Sequence, residues 1–345
     1  MDKKSIRIAG ISGGHVQGIA TDRERKYMYF SFTTKLVKTD MEGNIVGSVT
    51  GLTGHLGCIA FNYDDGRLYG SLEYKHDRIG KSILERSDRK TDIRDGFYVA
   101  VFDVDRIDRE DMQAESDGIM KAVYLDEVLK DYAFEGHRYG CSGIDGLTFA
   151  PIPGSCGTKK YLYVSYGIYG DVSRNDNDYQ VILRYNTDGW KSYEKPLDQN
   201  DMHRYGPASP DSKYFLYTGN TTYGIQNLEY DEHSGYMFAA VYRGKKECFP
   251  NYPMYVIDMQ RSASFEKLNN INESGEVLHL AKVGITDTQT GIRGIEFPYG
   301  STGMISLGDG CFCFSKNFSD ANTYGTEIEV YRFDRSVGFV PQRHE

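Results

Sequence analysis

Two histidines, His15 and His55, open nearly identical segments, His15-Val-Gln-Gly-Ile-Ala and His55-Leu-Gly-Cys-Ile-Ala. An imidazole titrates near neutral pH, so a pair aimed at one place could exchange a proton with a substrate or share a divalent cation with a carboxylate. Three further segments repeat the pattern: Gly143-Ile-Asp-Gly-Leu-Thr, Gly224-Ile-Gln-Asn-Leu-Glu and Gly291-Ile-Arg-Gly-Ile-Glu. Aligned on their apolar residues Ile19, Ile59, Leu147, Leu228 and Ile295, the slot two places earlier reads Gln17, Gly57, Asp145, Gln226 and Arg293. A repeated position used only for packing would hold one residue type. This one holds amide, carboxylate and guanidinium groups, with Asn227 beside it, as a convergent binding site requires. The slot after the apolar residue reads Ala20, Ala60, Thr148, Glu229 and Glu296, so two consecutive copies carry a carboxylate. Burying a lone ionised carboxylate is costly. Either Arg293 or Arg243 pairs with them, or they form a carboxylate pair with one general acid and one base or nucleophile.

The elements that would position these groups follow from what comes next in the chain. Each segment leads through a turn, among them Asp64-Asp-Gly, Ser234-Gly and Asp309-Gly, into an alternating strand. These strands read Tyr27-Met-Tyr-Phe-Ser-Phe32, Arg67-Leu-Tyr-Gly-Ser-Leu72, Tyr161-Leu-Tyr-Val-Ser-Tyr166, Tyr236-Met-Phe-Ala-Ala-Val241 and Cys311-Phe-Cys-Phe-Ser-Lys316. Third strands are expected at Leu36–Asp40, Phe97–Asp103, Gln180–Tyr185, Met254–Asp258 and Ile328–Phe333. Outer strands are expected near Ile45–Val49, Lys121–Leu125, Tyr214–Thr218 and Val277–Lys282. The fifth copy lacks an outer strand, and the orphan strand Ser5–Ile11 would supply it and close a ring. Five copies of four antiparallel strands resemble the five-bladed β-propellers over the whole chain. The expectation is therefore an all-β, single-domain propeller covering residues 1–345. In such a fold the starts of inner strands and the ends of second strands share one face, which adds Glu73, Tyr166, Arg243 and Lys316 to the candidate site.

Composition bounds the partners. Forty Lys and Arg against 49 Asp and Glu leave a net charge of −9, which argues against nucleic acid. No run of apolar residues reaches the ~18–20 of a membrane span. The first residues lack the apolar core of a secretory signal, and six scattered cysteines form no CxxC pair, so the chain reads as cytoplasmic with free, buried thiols. The charged insertion from Lys75 to Asp95 reads as a rim flap, and Tyr124–Tyr132 as the one short helix. The tetrapeptide His-Arg-Tyr-Gly occurs at His137 and at His203 and reads as coincidence.

Chemistry is narrowed by residue type. His15 or His55 as base, Tyr166 as acid, and Arg243 or Arg293 against a carboxylate resemble the His/Tyr/Arg arrangement of propeller polysaccharide lyases, which take the proton beside a uronate carboxyl group. The three-carboxylate pattern of arabinanase- and fructosidase-like glycosidases fails at the first copy, which offers His15 and Gln17. Val16-Gln17-Gly18-Ile19 is similar to the first inner strand of plant-type glutaminyl cyclases and implies acyl or amide chemistry as a weaker alternative. His15, His55 and Asp145 could ligate a cation, with calcium suited to a carbonyl-rich channel; no cofactor is required. No Gly-rich phosphate loop, GxSxG elbow or HExxH helix is present. The expected function is a carbohydrate-active hydrolase or lyase for a small anionic saccharide. Its catalytic groups would be drawn from His15, His55, Asp145, Tyr166, Glu229 and Glu296, and its binding groups from Gln17, Glu73, Gln226, Asn227, Arg243, Arg293 and Lys316. The alternative from another class is a non-catalytic binding or scaffold propeller.

Overall fold

A computed structural model describes residues 6–86 and 94–342. The first strand, β1 (Arg7–Ile11), belongs to a sheet formed by the far end of the chain. Strands β2 (Val16–Thr21), β3 (Tyr27–Phe32), β4 (Lys35–Asp40) and β5 (Ile45–Thr50) make the first antiparallel sheet. The second contains β6 (His55–Asn62), β7 (Arg67–Tyr74), β8 (Gly96–Phe102) and β10 (Met120–Tyr124); β9 (Met112–Gln113) instead runs parallel to β5. Helix α1 (Arg78–Arg86) lies in the charged insertion and α2 (Asp126–Ala133) follows β10. The third sheet holds β11 (Cys141–Ala150), β12 (Tyr161–Ile168), β13 (Tyr179–Tyr185) and β14 (Ser212–Tyr217). The fourth holds β15 (Thr222–Asp231), β16 (Tyr236–Tyr242) and β17 (Met254–Asp258). Hairpin β18 (Ser264–Lys267) with β19 (Ser274–Val277) extends the third sheet through a parallel β14–β19 pair. After a short ladder of β20 (Ile285–Thr286) and β21 (Arg293–Gly294), the fifth sheet is built from β22 (Met304–Ser306), β23 (Cys311–Asp320) and β24 (Thr323–Asp334). β25 (Gly338–Pro341) pairs with β24, and β1 takes its place as the outer strand, Arg7 opposite Glu327. Five such sheets define the fold class: an all-β, five-bladed β-propeller.

The chain divides into two compact units, Met1–Leu129 with Asp188–Ser209 and Ser315–Glu329, and Lys130–Thr187 with Pro210–Phe314 and Val330–Glu345. The first has a core that includes Tyr29, Leu36, Leu56, Leu72 and Phe102. The second has one cluster around Tyr163, Ile225 and Tyr255, and another in which Phe238, Phe297, Phe312, Phe314 and Phe339 pack edge to face.

Inner strands approach closely at glycine. A Cβ on Gly18 would lie 2.7 Å from the Ile59 nitrogen, and one on Gly146 would lie 3.0 Å from Ile225 Cγ2. The serine repeated in the second strands ties these edges: Ser31 Oγ donates to Gly57 O at 2.6 Å, and Ser165 Oγ to Gly146 O at 2.9 Å and Ile225 O at 3.2 Å. Both hydroxyls are buried, so each serine contributes about 1 kcal/mol, and more is lost if its acceptors are left without a donor.

Two expected elements lie elsewhere, and the charged insertion adds a second helix to the one expected. The fifth inner strand is Met304–Ser306, not Gly291–Glu296, because it must directly precede the hairpin turn at Asp309-Gly310. Ile295 instead bridges Met254 of β17, so the look-alike segment lines the third strand of the fourth sheet. The segment expected as that sheet's outer strand is divided: Val277 ends β19 in the third sheet, and Leu280 makes a bridge to Ile257. The insertion after Lys75 is helical over Arg78–Arg86; its later part, residues 87–93, lies outside the described residues.

Candidate functional site

The slot of mixed chemistry coincides with a break in strand pairing. In β2 the register shifts between Val16 and Gly18, in β6 between Leu56 and Ile59, in β11 between Ile144 and Leu147, and in β15 between Ile225 and Asn227. Gln17, Gly57, Asp145 and Gln226 therefore sit in or beside one-residue β-bulges, devices that re-aim a side chain and recur next to binding sites.

In the first unit the bulge of β2 joins a titratable cluster. Gln17 places its amide nitrogen 3.2 Å from His15 Nε2 and 3.1 Å from Thr33 Oγ1. With the amide so oriented, His15 accepts on Nε2 and carries its proton on Nδ1. His15 reaches solvent, yet partial burial and the neighbouring His55 push its pKa down, keeping it neutral at pH 7. His55 begins β6 directly opposite Glu73 of β7, and its Nδ1 lies 3.6 Å from Glu73 Oε1. Glu73 is buried, and Lys75 Nζ stands 2.5 Å from the same oxygen. Burial alone would raise the carboxyl pKa, but Lys75 and His55 outweigh it and hold it below its ordinary value. At 3.6 Å the contact is an electrostatic pair, in which the carboxylate favours a proton on His55 Nδ1 and the charged imidazolium. Lys316 pairs with Glu329 at 2.6 Å.

In the second unit Asp145 is buried, and with burial it pushes the Tyr242 hydroxyl up to about 12. Gln226 donates to Tyr223 O at 3.0 Å, and Asn227 to Ser301 O at 3.1 Å. Tyr223 is half exposed on a left-handed backbone (φ 65°), its ring set edge-on to Tyr242. Tyr166, expected as an acid, is fully buried and donates to Asp131 Oδ2 at 2.8 Å. Its hydroxyl is also pushed well up by burial, which makes it a poor proton donor.

The carboxylate pair does not form. Glu229 is on inner strand β15, and Glu296 follows Ile295 on the far side of β17, so β16 and β17 lie between them and three strand spacings, roughly 14 Å, separate them. Glu229 accepts the Ser306 N–H at 2.8 Å, and burial pushes its carboxyl up to about 8. Glu296 is exposed and forms an ion pair with Arg243. Arg293, in β21 rather than an inner-strand slot, is half-buried and makes no ion pair among the described residues. A cation site was expected from His15, His55 and Asp145; among the described residues no three His, Cys, Asp or Glu converge, so no step is routed through a metal.

Sequence reasoning missed Lys75 by reading it as the start of a charged flap. Its signal was present: Lys75 directly follows the strand that carries Glu73, two residues away, where an extended chain puts both side chains on the same side. The Gly18 of the cyclase-like Val16–Ile19 segment is explained by its contact with the Ile59 nitrogen. All six cysteines are free; Cys58, Cys141, Cys311 and Cys313 are buried as expected, while Cys156 and Cys248 are exposed. Among the described residues no helix is long and apolar enough to cross a membrane.

The fold defines a class, a five-bladed β-propeller, and comparison carries the particular no further. No protein-family model matches the chain, and no curated protein matches it. Solved structures similar to it include the β-propeller domain of Cps50 (Swd1) from Myceliophteria thermophila, with 9% identity, TM-score 0.32, and coverage of 92% of this chain and 99% of that one. Another is the Dos1 propeller, at 11% identity and TM-score 0.34, covering 90% and 78%. A functionally unknown protein from Desulfotomaculum acetoxidans matches at 10% identity and TM-score 0.39, covering 98% and 76%.

Proposed function

We propose that the protein is a carbohydrate-active enzyme, a hydrolase or lyase, that handles a small anionic saccharide with His55 as general base. One observation carries the reading: a buried carboxylate, Glu73, held ionised against Nδ1 of His55, beside a neutral, solvent-reaching His15. Glu73 is the positioning residue. Its charge favours the imidazolium that forms when Nε2 takes a proton, from water in hydrolysis or from the carbon beside a carboxyl group in elimination. His15 Nδ1–H can hydrogen-bond the leaving oxygen, and the proton taken by His55 is returned to that oxygen as its bond breaks. The mechanism uses only side chains. The net charge of −9 favours a small ligand over nucleic acid, and six free thiols suit the cytoplasm.

The test is a saccharide panel with separate readouts for new reducing ends and unsaturated products. His55→Gln is expected to lower turnover by about 10²–10⁴-fold with an unchanged melting curve. Turnover that survives in this variant removes His55 from the mechanism. A second reading, a non-catalytic binding propeller, draws on the cations already committed to carboxylates: Lys75 to Glu73, Arg243 to Glu296 and Lys316 to Glu329. It predicts saturable saccharide binding with no product.

A further inference from the structure

In the second unit a cleft of about 560 Å³ is lined by Phe134, Arg138, Tyr139, Arg174, Ile271 and Glu273, with Glu135 and Asp176 also on its wall. None of these is among the site residues above. Its floor is an unusual turn after α2, in which Gly136, His137, Tyr139 and Gly140 all have positive φ, 74°, 58°, 56° and 73°. Histidine and tyrosine adopt this conformation only when their surroundings impose it, and such residues gather at ligand clamps. Here Arg174 imposes it by donating to the carbonyls of Gly136 and His137, while His137 Nδ1 sits 2.6 Å from Tyr132 O.

The turn brings two consecutive side chains onto one atom. Arg138 Nη2 and Tyr139 Oη each lie 2.7 Å from Glu273 Oε2. Donors converging on a carboxylate oxygen are the geometry of carboxylate recognition. Glu273 is the last residue before β19, on the β18–β19 connection, and both it and Arg138 are 39% exposed, so the glutamate can leave for water. Behind them Lys213 Nζ is 2.7 Å, and Arg138 Nη1 3.7 Å, from buried Asp131. With Glu273 withdrawn, Arg138 Nη2 and the Tyr139 hydroxyl lose their shared acceptor, and an anionic oxygen fits the vacancy, with Glu135 the remaining carboxylate on the wall that has no ion pair among the described residues. Arg174 and Asp176 neutralise each other. Phe134, 57% exposed, and Ile271 offer apolar wall beside that vacancy.

We propose that this cleft binds a small organic carboxylate with an apolar body, its carboxylate replacing Glu273 between Arg138 and Tyr139, so that Glu273 acts as a built-in competitor. The inference is independent of the His55 chemistry. The experiment is calorimetric titration of the full chain with phenylacetate, and with inorganic phosphate and phenethylamine as contrasting probes. Glu273→Ala should bind phenylacetate at least about tenfold tighter than the unsubstituted protein. Adding Arg138→Gln or Tyr139→Phe to Glu273→Ala should cancel the gain, with circular dichroism confirming that each variant folds. The proposal is overturned if folded Glu273→Ala binds no probe, if phenethylamine or phosphate binds as tightly as phenylacetate, or if the gain survives both second substitutions.

Discussion

Glu73 and Glu229 are both desolvated strand glutamates, yet their carboxyl groups shift in opposite directions, below the ordinary value for Glu73 and up to about 8 for Glu229. Glu73 has Lys75 at 2.5 Å and His55 behind it. Glu229 has the Ser306 N–H, the Thr148 hydroxyl and Lys160, whose charge is already paired with Glu232, with Asp231 as a second acid nearby. Burial sets the size of the penalty in both places. A cation within reach decides which protonation state survives it. One glutamate can therefore orient an imidazole at neutral pH, whereas the other is mostly a neutral hydrogen-bonding group.

Removing the cation should break this contrast with the largest effect. Lys75→Met leaves the Glu73 carboxylate buried without its main partner, and a loss of about 3–5 kcal/mol in chemical denaturation is expected. A loss under about 1 kcal/mol would mean that Lys75 does not hold Glu73 ionised. Next is the pH dependence of stability, where the two residues act with opposite signs. The raised value of Glu229 gives stability that is fully present below 4.5 and lost as pH rises through about 8. The lowered value of Glu73 gives stability present above 4.5 and lost as pH falls through its folded value. Glu229→Gln should flatten the alkaline limb alone, stabilising the protein at pH 8 by about 1–3 kcal/mol; an unaltered limb would place the titrating group elsewhere. Ser165→Ala, which removes a neutral buried donor rather than a charge, should cost about 1 kcal/mol with no pH dependence. Arg243→Ala is the smallest change. Its pair with Glu296 is exposed, so melting should move by less than the equivalent of about 1 kcal/mol, and a larger shift would show that charge pairing matters even in water.

The repeat was legible because its serine strands and hairpin turns are local signals. Tyr27–Phe32, Arg67–Leu72 and Tyr161–Tyr166 lie within observed second strands, and α2, Asp126–Ala133, overlaps the expected Tyr124–Tyr132 and runs one residue past it. The fifth inner strand was misplaced because Gly291–Glu296 copies the motif in composition, whereas hairpin geometry selects Met304–Ser306. That misplacement created the supposed Glu229–Glu296 pair. The Glu73–His55 opposition follows from pairing the start of an inner strand with the end of its neighbour, a step the sequence allows. The Arg138–Tyr139–Glu273 convergence joins residues far apart in the chain through a strained turn, and no periodicity announces it. For the same reason the echo of His137-Arg-Tyr-Gly at His203 carried no meaning in sequence: only the first copy has the reversed backbone.

The bulges in β2, β6, β11 and β15 have a consequence for how this surface can change over evolutionary time. A residue in regular pairing is constrained by its opposite number and by alternation, so replacing it disturbs packing on both sides. A bulged residue has no opposite number. Gln17, Gly57, Asp145 and Gln226 occupy sockets whose contents can be exchanged with little cost to the strands that carry them. Mutation can change the side chains presented there one blade at a time while the scaffold stays intact.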